Sequence, residues 1–134
     1  MSTVPLDGLP EFLGRSPYHR LLGLHMTKAA KGEVVVRMPF REDLLAGDDE
    51  SGRYIHGGAI ASLIDTAADF AVIAAVGRDV PTIDLRVDYL RAARGTLVAT
   101  ARTRKAGRSL AVADVDVTDD AGQLVAVGRG VFKT

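Results

Sequence analysis

The feature that most constrains this fold is an alanine-rich stretch from Gly57 to Val76 that contains no proline. Its length and its content of alanine, leucine and isoleucine predict one long helix. At 100° per residue, one stripe of this helix is apolar and is expected to face a core: Ile60, Leu63, Ala67, Phe70, Ala71 and Ala74. The opposite face is small, because Asp65 is flanked there by Ala61, Ala68 and Val72.

The apolar run from 59 to 76 approaches the length of a membrane span, so a transmembrane helix is an alternative to a buried one. Two carboxylates, Asp65 and Asp69, lie in its middle. Each would cost about 2.5–3.5 kcal/mol at the centre of a bilayer. We therefore expect a buried helix in a soluble, cytoplasmic protein, with no membrane contact.

The rest of the chain is patterned mainly as strands. Residues 82–90 alternate strictly, with Ile83, Leu85, Val87 and Tyr89 on one side. Strands are predicted over 24–29, 33–40, 82–90, 95–104, 109–118 and 123–132, and short helices over 9–13 and 17–22. Short connections between successive strands favour an antiparallel meander. The expected fold is α+β, a single domain over residues 1–134 with five to six antiparallel strands against one central helix.

The amino-acid composition limits which kinds of reaction and binding site this chain can have. The chain has 17 basic and 17 acidic residues, no cysteine and three histidines. Zero net charge argues against nucleic-acid binding by bulk electrostatics. The lack of cysteine excludes disulfides, thiolate catalysis and cysteine-ligated metals, and three histidines argue against a histidine-only metal site. We expect no metal, and any activity must depend on a few residues.

The motif whose groups could take part in a reaction is His56-Gly57-Gly58 at the start of the long helix, followed by Asp65. Glycines let a substrate approach the backbone, and first-turn N–H groups lack helical partners and carry the positive end of the helix dipole. Such groups bind an anion or polarise a carbonyl, while a carboxylate on an apolar helix is a candidate base or nucleophile. Taken singly, Gly-Gly is more often a turn, and Asp65 with Asp69 could mark a solvated stripe. The combination favours a site.

Helix geometry limits how these groups can cooperate. Asp65 lies eight positions after Gly57, a rise of about 12 Å at ~1.5 Å per residue. Both therefore cannot reach one carbonyl carbon from the same chain. If they form one site, two chains must contribute, which predicts a homodimer with two equivalent sites.

These segments resemble the hotdog-fold acyl-CoA thioesterases, in particular the branch typified by phenylacetyl-CoA thioesterase. The similarity extends from about Leu21 to the end of the chain. Besides 56–58 and Asp65, it includes the segments 81–90, 105–110 and 119–129. The resemblance implies a hotdog fold, in which a sheet wraps around one long helix, and hydrolysis of an acyl-CoA thioester.

The resemblance also implies a role for each motif residue. The N–H of Gly57, with that of Gly58, would polarise the thioester carbonyl. Asp65 of the partner subunit would activate water as a general base or attack as a nucleophile, and Thr82 would help to place the water. His56 would order the glycine turn and contact the thioester region. No metal or redox cofactor is implied, coenzyme A is part of the substrate, and two dimers are expected to pair into a tetramer.

A basic stretch suggests where coenzyme A would bind. Residues 91–108 contain six positive charges and no acidic or aromatic residue. The guanidinium fork suits phosphate groups. Arg108 beside Ser109, at a predicted turn, is the first candidate, followed by Arg91 and Arg94. The missing aromatic residues argue against single-stranded nucleic acid, which binds on stacking platforms.

One position departs from the family pattern. The family often has an asparagine six positions before the histidine, where this chain has Glu50 and contains no asparagine at all. This departure keeps open a non-catalytic acyl-CoA-binding protein as an alternative function. A third alternative is a hotdog dehydratase or hydratase, although the histidine and acid motif of those enzymes is not found.

Overall fold

A computed structural model describes residues 3–134, so the first two residues of the predicted domain lie outside the described range. The helices and strands are α1 (Leu9–Gly14), α2 (Pro17–Leu22), β1 (His25–Ala30), β2 (Glu33–Met38), α3 (Gly57–Val76), β3 (Thr82–Tyr89), β4 (Leu97–Ala106), β5 (Leu110–Thr118) and β6 (Leu124–Lys133). The α+β prediction is confirmed, and most predicted bounds agree within two residues.

The six strands form one antiparallel sheet in the order β1-β2-β4-β5-β6-β3. The meander prediction is confirmed for β4, β5 and β6, which short turns connect. It is wrong for β3, which pairs with β6 at the edge of the sheet and not with the next strand along the chain. At least six residues outside any strand separate β3 from the strand before it and from the strand after it. No tight turn therefore decides which strand β3 pairs with.

Helix α3 packs against the inner face of the sheet, and its predicted apolar stripe is buried throughout. Two glycines of β6 permit this close packing. A Cβ atom on Gly128 would lie 2.5 Å from Cγ2 of Ile64, and one on Gly130 would lie 3.1 Å from the Ala68 side chain. The helix can therefore approach β6 this closely because these two positions carry no side chain.

The bounds of α3 are those predicted, and each end has a physical cause. The His56 side chain caps the first turn, and Gly77 ends the helix in the left-handed region at φ 81°. By length and composition α3 could cross a membrane, but most of it is buried inside the protein. A cytoplasmic location remains a prediction.

Strand β3 differs from its predicted pattern at both ends. Leu85 and Val87 pack against the core, as alternation predicts. Ile83 and Tyr89 are instead 55% and 53% exposed. The pairing with β6 shifts register between Thr82 and Asp84, which places Ile83 at an irregularity. The outer edge of β3 is left unpaired in the single chain.

Candidate active site

The glycine turn at the start of α3 is ordered by the His56 ring. The Gly58 N–H donates to Nδ1 of His56 at 2.8 Å. A Cβ atom on Gly58 would lie 3.0 Å from that nitrogen, so a side chain here would push against the ring. The acceptor role of Nδ1 places the proton of a neutral ring on Nε2.

This hydrogen bond distinguishes the two glycine N–H groups. The Gly58 N–H is already engaged, whereas the Gly57 N–H has no hydrogen-bond partner among residues 3–134. From the sequence, both N–H groups are candidates for a substrate carbonyl. In this structure Gly57 offers the available donor.

Tyr89, at the end of β3, holds the same turn from the other side. Its hydroxyl donates to the Gly57 carbonyl oxygen at 2.7 Å. A Cβ atom on Gly57 would lie 3.2 Å from Cζ of the tyrosine ring. The sequence does not identify Tyr89 as part of the site, because no local pattern signals that β3 ends beside the start of α3.

An apolar groove of about 350 Å³ opens beside this turn. Its lining combines side chains from the segment before α3, from α3 itself and from the segment after β3: Tyr54, Ile55, Gly57, Ile60, Tyr89, Leu90, Arg91, Ala92 and Ala93. The groove can accept an apolar chain next to the free Gly57 N–H, with a guanidinium at its margin.

Asp65, the predicted base or nucleophile, is held by the hydroxyl of Thr82, which was expected in the same site. Thr82 Oγ1 donates to Oδ1 of Asp65 at 2.8 Å, which joins the start of β3 to the middle of α3. Asp65 is half-buried, and its second oxygen has no hydrogen-bond partner among the described residues. The bond restrains the carboxylate and leaves one oxygen available for a proton or a carbon centre.

Asp69, one helical turn further on, has different surroundings. Its Oδ1 atom is fully buried and has no partner among the described residues. Burial, and then the charges of Asp79 and Asp65, raise the pKa of Asp69 to about 8. Asp69 is therefore mostly neutral at pH 7, unlike a member of a solvated stripe. Within residues 3–134, no group of three or more histidine or acidic residues could hold a metal ion.

The arginines predicted to bind coenzyme A lie in two separate regions of the chain's surface. Arg94 donates to the Arg53 carbonyl at 2.6 Å, and Arg91 donates to Oε1 of Gln123 at 3.2 Å. Since the Ile55 N–H donates to the Ala93 carbonyl, this segment lies against the start of α3.

Arg108 and Ser109 lie at the other end of α3. They are exposed in the β4–β5 turn, where the Ser109 carbonyl accepts from the Thr134 N–H. Arg78, just after α3, donates to the Thr134 carbonyl. A single chain thus keeps the two groups of arginines apart. Two other members of the basic stretch, Arg102 and Arg104, form ion pairs with carboxylates of neighbouring strands.

Residues 52–126, more than half of the chain, match the profile of the Thioesterase superfamily. A candidate esterase of Halobacterium salinarum is 41% identical over 122 residues, which cover 84% of this chain and 80% of that protein. The acyl-coenzyme A thioesterase PaaI of Escherichia coli is 32% identical over 117 residues, covering 83% and 77%.

A solved protein of the thioesterase superfamily superposes with a TM-score of 0.89 at 36% identity, covering 96% of this chain and 97% of that one. The profile, the relatives and this superposition agree with the resemblance noted in the motif residues. The chain belongs to the thioesterase superfamily, as a hotdog-fold thioester hydrolase of the PaaI-like branch.

Proposed function

We propose that this protein is an acyl-CoA thioesterase. Water attacks the thioester carbonyl, the carbon–sulfur bond breaks, and a free carboxylic acid and the thiol of coenzyme A are released. The PaaI relative named above is an acyl-CoA thioesterase, which supports this substrate class. The observation that carries the proposal is a free Gly57 N–H beside an apolar groove, in a chain that also holds a carboxylate oriented by a hydroxyl.

The site is built from two chains, and β3 supplies the reason. One end of this strand touches Asp65 through Thr82, and the other end touches Gly57 through Tyr89. An exposed edge strand is a template for pairing with another chain. If two copies of β3 pair in antiparallel fashion, the Tyr89 end of one lies beside the Thr82 end of the other. Gly57 then lies beside Asp65 of the partner subunit, with two equivalent sites per dimer.

Each group then has one task. The Gly57 N–H, at the positive end of the helix dipole, stabilises the negative charge that develops on the carbonyl oxygen. Asp65 of the partner subunit takes a proton from the attacking water, or attacks the carbonyl itself to form an anhydride that water then cleaves. Thr82 keeps that carboxylate in place, and His56 keeps the glycine turn in place.

Coenzyme A binding follows from the same symmetry. Antiparallel pairing reverses the direction of α3 between the two chains, so the β4–β5 turn of one chain approaches the start of α3 in the other. Arg91 and Arg94 would then share the phosphates with Arg108 of the partner subunit, supported by the neighbouring Ser109. Pairing of two dimers into a tetramer remains a prediction, which light scattering tests.

The direct test is release of free thiol from a panel of aliphatic and aromatic acyl-CoAs, with Asp65→Asn measured beside the parent protein. We expect turnover of at least one substrate that the variant loses. Thermal stabilisation by acyl-CoAs without release of thiol would instead favour a non-catalytic binding protein. Interconversion of enoyl and 3-hydroxyacyl thioesters would favour the dehydratase alternative.

A mixing experiment tests the two-chain site. Gly57→Val and Asp65→Asn subunits are each expected to be inactive alone. In an equal mixture about half of the dimers are mixed, and each has one intact site, so about a quarter of the parental activity should return. If both groups acted within one chain, mixing would restore nothing.

A further inference from the structure

The start of α3 poses a physical problem that His56, among the residues of the proposed mechanism, solves only in part. Two successive glycines have the most backbone freedom of any dipeptide. A hydrogen-bond donor stabilises developing charge only if it is already oriented when the reaction occurs. Glu50, six positions before His56, is exposed, and no side-chain hydrogen bond joins it to the turn among the described residues. A second restraint, besides His56, is therefore needed to hold the turn.

The peptide group between Gly57 and Gly58 is held at both of its polar atoms. Its carbonyl oxygen accepts the Tyr89 hydroxyl at 2.7 Å, and its N–H donates to Nδ1 of His56 at 2.8 Å. Hydrogen bonds in such a chain polarise one another, so the bond at the carbonyl strengthens the bond at the N–H. His56 is a neighbour in the sequence, whereas Tyr89 reaches the turn from a strand 32 residues away.

The two rings also restrict the turn by their volume. The tyrosine ring lies within contact distance of the position a Gly57 Cβ would take, and the His56 ring does the same at Gly58. Tyr89 and Gly57 line the same groove. The tyrosine therefore covers one side of the Gly57 backbone at the edge of the groove.

We propose that Tyr89 is a positioning residue for hydrolysis: its hydroxyl orients the Gly57–Gly58 peptide, and with it the Gly57 N–H and the His56 ring. It acts through these groups and touches no reacting atom. This role rests on the proposed thioesterase function. It gives β3 a second task besides pairing, because the strand connects the glycine turn to the edge where the partner binds.

Tyr89→Phe is the test variant, since it removes the hydroxyl and keeps the ring. The matched control is Thr103→Val, which removes another hydroxyl that donates from the sheet to an α3 carbonyl, at Ala71 and 2.8 Å. With an acyl-CoA substrate, we expect Tyr89→Phe to lower kcat about 3- to 10-fold, the value of one hydrogen bond, with little change in KM. Thr103→Val should leave kcat within about twofold.

A second measurement needs no substrate. Hydrogen exchange of the Gly58 amide, followed by NMR, should be about 3- to 10-fold faster in Tyr89→Phe and unchanged in Thr103→Val. Unchanged exchange at Gly58 overturns the positioning role, as does a fall in kcat that the control matches. If the parent protein hydrolyses no acyl-CoA, the proposed function fails, while the exchange measurement still decides whether Tyr89 orients the turn.

Discussion

The two halves of the proposed site are built on the same helix by different means. The glycine turn donates one hydrogen bond to the His56 ring and accepts one from the Tyr89 hydroxyl. The middle of α3 holds two half-buried carboxyl groups, of which one accepts a hydroxyl and the other is kept protonated by its surroundings. The turn should therefore respond to changes of shape, and the carboxyl region to changes of charge.

The largest effect is expected from removing charge at Asp65. Asp65→Asn keeps the size of the side chain and an oxygen for the Thr82 hydroxyl, but it removes the base or nucleophile. General-base catalysis contributes about 10²- to 10⁴-fold, so kcat should fall by that factor. Steady-state thiol release measures this, and circular dichroism should show an unchanged fold. Parental turnover in a correctly folded variant would remove Asp65 from the mechanism.

The next effect concerns the orientation of that carboxylate. Thr82→Val removes a hydrogen bond to a charged group, which is worth about 1.5–3 kcal/mol, or roughly 10- to 100-fold in rate. We expect this loss in kcat, measured with the same substrate. Thr103→Val, which removes a hydroxyl bonded to a neutral carbonyl, is the comparison variant and should lose much less. Equal losses in both would mean that Thr82 acts only through stability.

Gly58→Ala tests whether catalysis depends on the shape of the glycine turn. The added methyl group meets the His56 ring at 3.0 Å and should displace it. Alanine is also the better helix former by about 1 kcal/mol, which offsets the strain in global stability. We expect kcat to fall about 10-fold while the urea midpoint changes little. Gly14→Ala, where a Cβ atom meets nothing within 4 Å, is the control, and a parental kcat in Gly58→Ala would contradict an ordered turn.

The smallest effect on turnover at pH 7 is expected from Asp69→Asn, because asparagine resembles the protonated acid. Its effect is on pH dependence. The pKa of Asp69 rises from 3.8 to about 8 on folding, so the folded protein binds one more proton than the unfolded chain between these values. The free energy of unfolding therefore falls by up to about 1.4 kcal/mol per pH unit from pH 4 to pH 8, then levels off.

Urea unfolding at pH 5, 6, 7 and 8, at fixed protein concentration, measures this slope. The carboxyls whose pKa is lowered by ion pairs or hydrogen bonds, such as Asp114 and Asp49, lose their contribution below pH 4 and do not overlap with this range. Asp69→Asn should lack the fall between pH 5 and pH 8. An identical slope in the parent and the variant would show that Asp69 ionises normally.

Much of this fold could be predicted from the sequence, because its elements have strong local signals. The stretch from Gly57 to Val76 predicts a helix with correct bounds and a correct buried stripe, since composition and spacing act within a few turns. Alternation predicts the strands, and tight turns predict the order of β4, β5 and β6. The place of β3 could not be predicted, because its partner β6 follows it by 35 residues or more and no turn joins them.

For the site, the sequence by itself determined which chemical groups exist: a His-Gly-Gly turn, one carboxylate eight residues further on, and no thiol. Helix rise alone showed that these groups lie too far apart to act on one atom within a chain. Only the tertiary structure decided that Thr82 holds Asp65, that Tyr89 holds Gly57, and that Oδ1 of Asp69 is buried without a partner among the described residues. Those contacts join residues 17 and 32 positions apart, or depend on burial by distant strands. No local sequence pattern indicates these contacts, because packing of the whole sheet against α3 brings the residues together.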